Sequence, residues 1–215
     1  MIAYPVNSQI AVYKTHRKLV EFNDKLRPAL PENYAHIHAS GEKLPDGSRL
    51  RSWVGLVLQD YSSGTGQNMI RVTADLAPGF FPYVLSRIAA GTENFAFQEE
   101  KIFGIPDETG RSRVTKVTFR RTSVGGGGDP RRCPWYICLE NGRAFREPAP
   151  TGGFRMRAGS YVLEKKVFLD LSDYDFFQLM YHVMRFIEVW EMSTGSRLIH
   201  DATRLVEATR MQDFY

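Results

Sequence analysis

Residues 160–191, SYVLEKKVFLDLSDYDFFQLMYHVMRFIEVWE, decide how the chain is to be folded. Residues 160–171 carry the Val, Phe and Tyr enrichment of a β-strand, with Lys165 and Lys166 in the middle. Ser172 then stands where a helix N-cap belongs, with Asp173 next and Asp175 three residues on. This resembles a capping box, and both acids suit the positive end of a helix dipole. Phe176, Met180, Val183, Ile187 and Trp190 recur at helical spacing on one face, which predicts a helix over 172–191. Phe177, Leu179, Phe186 and Val189 lie off that stripe, so only Gln178, His182, Arg185 and Glu188 form a polar ridge. A helix this apolar is covered on more than one side.

Immediately upstream lies the basic part of the chain. Residues 111–166 hold thirteen Lys/Arg against four acids (Asp129, Glu140, Glu147 and Glu164), a net +9. The whole 215-residue chain is +4, so the rest is −5. Such a segment is the electrostatic footprint of a nucleic-acid surface, or it solvates an exposed sheet face. Residues 113–121 (RVTKVTFRR) alternate as a strand, with Val117 and Phe119 on one side and Lys116, Thr118 and Arg120 on the other. Four glycines at 125–128 mark a flexible hairpin tip. Residues 135–140 form the next strand, Asn141 and Gly142 a two-residue turn, and 144–148 a return strand that 154–157 can pair with.

Further out, Leu19, Phe22 and Leu26 fall at helical spacing and predict an N-terminal helix over 14–27, ended by Pro28 and Pro31. Residues 34–40 alternate, and Pro45-Asp46-Gly47 is a hairpin turn. Residues 50–59 and 69–76 read as strands. Pro78 opens and Gly91 closes a short helix with Phe81, Val84, Leu85 and Ile88 on its apolar face. Residues 92–110 read as a connector with some strand character around 95–97 and 101–105, 194–196 as a break, and 198–211 as a last helix.

Apolar content of 43% and aromatic content of 13% suffice for a core. No run approaches the roughly 18 apolar residues of a membrane span. Asn7, Ser8 and Gln9 interrupt any apolar leader. Two cysteines, Cys133 and Cys138, are too few for a disulfide framework. A cytoplasmic or nucleoid-associated protein with no membrane partner is expected.

At an offset of 95 residues, Asp75-Leu76 lies over Asp170-Leu171, Phe81 over Phe176, Leu85 over Met180 and Ile88 over Val183. Both junctions run from strand to helix. The expected fold is α+β, a single domain over 1–215 with internal repeat units at about 34–91 and 111–191. Each unit supplies an antiparallel sheet of four strands and then a helix, the helices pack together, and the terminal helices 14–27 and 198–211 are additions. This duplicated arrangement, carried by the junctions at 72–88 and 167–187 and the basic strands 113–121 and 160–166, resembles the Whirly and PUR-repeat group of proteins. The resemblance is one of architecture. It implies binding of single-stranded DNA or RNA across the sheet faces and association through the helices.

The residues make a separate physical case. Single strands are held by cations along the backbone and by rings that stack on bases. The candidate binding residues are Arg51 and Trp53 in the first half, and Arg113, Lys116, Arg120, Tyr136, Arg143, Arg155, Arg157, Tyr161 and Lys166 in the second. The competing reading places most rings in the core.

No catalytic set stands out, so a non-catalytic protein without cofactor or metal is expected. His36 and His38 lack a carboxylate at fitting distance for a metal. Gly125 to Gly128 lack the Lys-Ser/Thr of a phosphate loop. The alternative function is a protein-interaction module, an inhibitor or assembly subunit, acting through the apolar helix 172–191. Phe186, Val189 and Trp190 are the expected contact between two copies in a homo-dimer.

Overall fold

The structure, a computed structural model, describes residues 8–33, 36–150 and 152–212. Two antiparallel sheets account for most of it. The first contains β1 (Gln9–Lys14), β2 (Lys18–Lys25), β5 (Trp53–Asp60) and β6 (Ile70–Leu76), side by side in that order. A small hairpin, β3 (Ser40–Lys43) and β4 (Arg49–Arg51), is inserted between its second and third strands. Helix α1 (Phe80–Ala89) follows. The second sheet contains β7 (Asn94–Phe103), β8 (Ser112–Thr122), β9 (Trp135–Ala144) and β12 (Val162–Leu171), again neighbours in chain order. The hairpin β10 (Arg146–Pro148) and β11 (Phe154–Met156) precedes its last strand, and α2 (Asp173–Gln212) leaves from it. The fold is therefore α+β with antiparallel sheets. Among the described residues no helix is long and apolar enough to cross a membrane.

One contiguous core joins both sheets and both helices. Alternation puts Val20, Phe22, Val54, Leu56, Leu58, Val72 and Leu76 on the inner face of the first sheet. The second contributes Val117, Phe119, Trp135, Ile137, Leu139 and Val167. Phe80 of α1 and Phe176 of α2 meet over Phe119, at 4.7 and 6.2 Å between ring centroids. Phe176 also stacks on Trp135 at 3.8 Å and 15°. Helix α1 packs on α2.

The β12–α2 junction is as the capping pattern predicts. Ser172 Oγ accepts from the Asp175 backbone N–H at 3.1 Å and lies 2.6 Å from its carboxylate. Arg121 forks onto Asp173 with two 3.0 Å bonds, and the Trp135 indole N–H donates to the same carboxylate at 2.8 Å. Arg121 holds the Asp173 carboxyl below the usual range.

Four expectations are corrected. The predicted N-terminal helix 14–27 is instead the turn of the β1–β2 hairpin and strand β2. Thr15 closes its turn by accepting the Lys18 N–H at 2.9 Å, and the pair that decides is Val20 and Phe22, both wholly buried two residues apart. Residues 94–103, read as connector with strand character only around 95–97 and 101–105, are one strand paired along its whole length with β8. The predicted break at 194–196 is absent, so the separate helix 198–211 is the distal part of the 40-residue α2. Gly195 is instead a contact point: a Cβ there would stand 3.2 Å from Ile37 Cδ1. Asn141 and Gly142 are not a turn but lie inside β9. The start of the expected repeat unit at 34, and Tyr34 and Ala35 of the predicted strand 34–40, lie outside the described residues. The glycines at 125–128 do form the tip between β8 and β9, closed by a Gly125 N–H to Asp129 carbonyl bond of 2.8 Å.

Candidate nucleic-acid interface

Alternation along β8 points Lys116, Thr118 and Arg120 away from the core. Register extends each into a row across the second sheet. The first row is Lys166, Glu140, Lys116, Glu100. It alternates in sign, with Lys166–Glu140 at 2.7 Å and Lys116–Glu100 at 2.9 Å. The second is Phe168, Cys138, Thr118, Gln98, and the third is Asp170, Tyr136, Arg120, Ala96. Both helices pack on the opposite face, so no helix covers these rows, and Cys138 is buried beneath the side chains around it.

Three rings stand on this face. Tyr136 and Phe168 are 5.6 Å apart. The Arg120 guanidinium is 5.3 Å from the Tyr136 centroid, Lys18 Nζ 3.9 Å from that of Phe168, and Lys116 Nζ 4.2 Å from that of Tyr161. Cations at these distances are attracted to ring faces. Burial pushes the Tyr161 phenol up to about 12, helped by the negative charges of Glu140 and Glu100. Burial likewise raises Tyr136, with a bond to Cys138. Both phenols are neutral at ordinary pH, as is the Cys138 thiol, which burial also raises.

Local sequence explains how Tyr161 reaches this face. A Cβ on Gly142 would lie 2.2 Å from the Val162 carbonyl oxygen and 2.7 Å from the Tyr161 ring. Only glycine lets the ring lie on β9 there, where β12 makes its register shift between Leu163 and Lys165. Its neighbour Asn141 points to the other side. The amide accepts from the Thr73 N–H at 3.1 Å and donates to the Thr73 carbonyl at 3.0 Å. It thus satisfies the outer edge of β6 as a strand would, and Lys101 Nζ does the same for the Asp75 carbonyl at 2.5 Å.

No known family model, curated protein or solved structure matches the chain. Function has to be read from the surface itself.

The eleven candidate binding residues fall into three groups. Lys116, Arg120, Tyr136, Tyr161 and Lys166 share the open face. Arg51 and Trp53 line a wedge between the sheets with Lys25, Lys101 and Phe103, and Arg113 sits in register with Phe103 and Arg143 near its mouth. Arg155 and Arg157 belong to the β10–β11 hairpin and its end, where the Arg157 and Arg111 guanidinium carbons each lie 4.5 Å from the Phe145 centroid. Four of the cations hold carboxylates: Lys116, Lys166, Arg143 on Asp107 and Glu164, and Arg155 on Glu147. Thr109, Arg111 and Arg143 together hold the Asp107 carboxyl down at about 2.

Lys18 and Phe168 complete the open face and were missed. Lys18 sat in a stretch read as helix, and Phe168 in a strand whose two faces sequence alone does not assign. Of the residues expected at a dimer contact, Phe186 packs against the core and Trp190 stacks on His38 at 5.0 Å and 5°. Both are half-buried against their own chain, and Val189 is exposed, at 57%. His38 is held at both ring nitrogens, 2.9 Å from Ser52 Oγ and 2.9 Å from Glu191. Among the described residues no group of three His, Cys, Asp or Glu is placed to hold a metal ion.

Proposed function

We propose that the chain binds single-stranded DNA or RNA, without catalysis, across the open face of the second sheet. One observation carries this: Tyr161, Phe168 and Tyr136 stand on the helix-free face among Lys18, Lys116, Arg120 and Lys166. From Gly142, beneath Tyr161, to Tyr136 is six residues of β9, roughly 20 Å at about 3.3 Å per residue. Three bases of an extended strand suit that length.

The same proposal takes the chain as a duplicated unit, with residues 9–89 as the first copy and 94–191 as the second. Its support is that each run lays four antiparallel neighbours in chain order and ends in a helix. It differs from the boundaries expected from sequence, because β1, β2 and β7 join their sheets.

Titration of fluorescein-labelled oligo(dT) and oligo(rU) by anisotropy tests the function. Micromolar or tighter binding at low salt, lost on mutation of the three rings, is expected. No binding of either strand at low salt overturns it. A second reading, self-association or partner docking through α2, is favoured by the exposed rings Tyr174, Phe177 and Tyr181 on that helix, the last two stacked at 5.7 Å.

A further inference from the structure

The wedge between the sheets is a different kind of site from the open face. It encloses about 550 Å³, within the size range of small-ligand cavities. Lys25, Arg51 and Trp53 come from the first sheet and its inserted hairpin, and Lys101, Phe103 and Thr115 from the second. Lys101 Nζ lies 4.2 Å from the Trp53 centroid and is fixed by the Asp75 carbonyl and by Glu99 at 3.1 Å. Lys25 is tied to Asp75, the one carboxylate of the lining, at 2.7 Å. Arg51 enters no ion pair among the described residues, and its guanidinium carbon is 5.9 Å from the Trp53 centroid.

That leaves an indole, an exposed phenyl and an uncommitted guanidinium around one hollow. A wholly apolar ligand would desolvate the unpaired Arg51 without compensation. A bare inorganic anion would leave Trp53 and Phe103 unused. A ligand aromatic at one end and anionic at the other uses both. We propose that the wedge binds one nucleotide unit, its base against Trp53 and Phe103 and its phosphate at Arg51. A free nucleotide and the phosphorylated end of a strand share this chemistry. The proposal stands whether or not the open face binds strands.

Isothermal titration with adenosine 5′-monophosphate at low salt tests it. Binding is expected, weakened at least tenfold in Arg51→Glu and in Trp53→Leu. Arg185→Glu, an equal charge change on an exposed part of α2, is expected to leave it intact. Arg51 is exposed, so its variant keeps the test valid if the tryptophan variant fails to fold. Competition with 5′-phosphorylated oligo(dT) distinguishes the sources: displacement assigns the wedge to a strand end, and no displacement assigns it to a free nucleotide. Absence of binding at millimolar nucleotide, or equal binding by native chain and Arg51→Glu, overturns the proposal. The open face is read separately, by strand anisotropy.

Discussion

Tyr136 and Phe168 are half-exposed rings whose removal leaves no hole in the core, so they separate binding from stability. A base stack is worth about 1–3 kcal/mol. Tyr136→Ala and Phe168→Ala are each expected to weaken strand binding roughly 5- to 150-fold while the melting temperature barely moves. A large thermal loss with unchanged affinity of the folded fraction would reject the site. Gly142 acts differently. In Gly142→Ala the new methyl meets backbone at 2.2 Å, and backbone cannot swing aside. Overpacking of this kind costs about 1–3 kcal/mol, read by chemical denaturation, and it should also lift Tyr161 off the face. The Tyr161 phenol gives a pH signature. Its folded value of about 12 lies above the ordinary 10.0, so its contribution to stability is full below pH 10 and is lost as pH rises through 12. Tyr161→Phe should therefore flatten the fall in melting temperature above pH 10. An unchanged alkaline limb would contradict this.

Legibility followed how many independent signals agreed on an element. The β12–α2 junction had strand composition, a cap and a helical stripe, and all three hold. Ser172→Ala removes the cap and should cost about 0.5–2 kcal/mol in a denaturant melt. The β1–β2 hairpin had conflicting signals. Leu19, Phe22 and Leu26 fit a helix, Val20 and Phe22 fit a strand, and the partner strand β5 that settles the matter lies some thirty residues away. Asn141 and Gly142 carry the commonest hairpin pair, yet each answers a tertiary demand that no local pattern shows: an edge to be satisfied and a ring to be seated. The basic character of the second half was legible. Its neutralisation was not, because Glu100 and Glu140 face Lys116 only through register.

At the scale of the molecule, α2 is roughly 60 Å long at about 1.5 Å per residue. Its exposed apolar residues run from Tyr174 through Tyr181, Val189 and Met192 to Ile199 and Val206. If two copies associate, this side, which includes Val189, offers the larger exposed apolar surface beside the half-buried Phe186 and Trp190. Light scattering should show a dimer that Phe177→Glu/Tyr181→Glu converts to a folded monomer. A native chain running near 25 kDa at every micromolar concentration would exclude the dimer.

The alternating row Lys166, Glu140, Lys116, Glu100 bears on which polymers the face can refuse. A phosphate reaching Lys116 must displace a carboxylate already in place, so the exchange of one anion for another yields little. A featureless polyanion has nothing else to offer. A nucleic acid brings bases, and on the proposed function Tyr136, Phe168 and Tyr161 would stack on those alone. Affinity should then fall only gently with salt, with the slope of about −0.7 per phosphate engaged reflecting one or two contacts rather than the thirteen cations of the segment. Heparin, for all its charge density, should be a poor competitor for a bound oligo(dT).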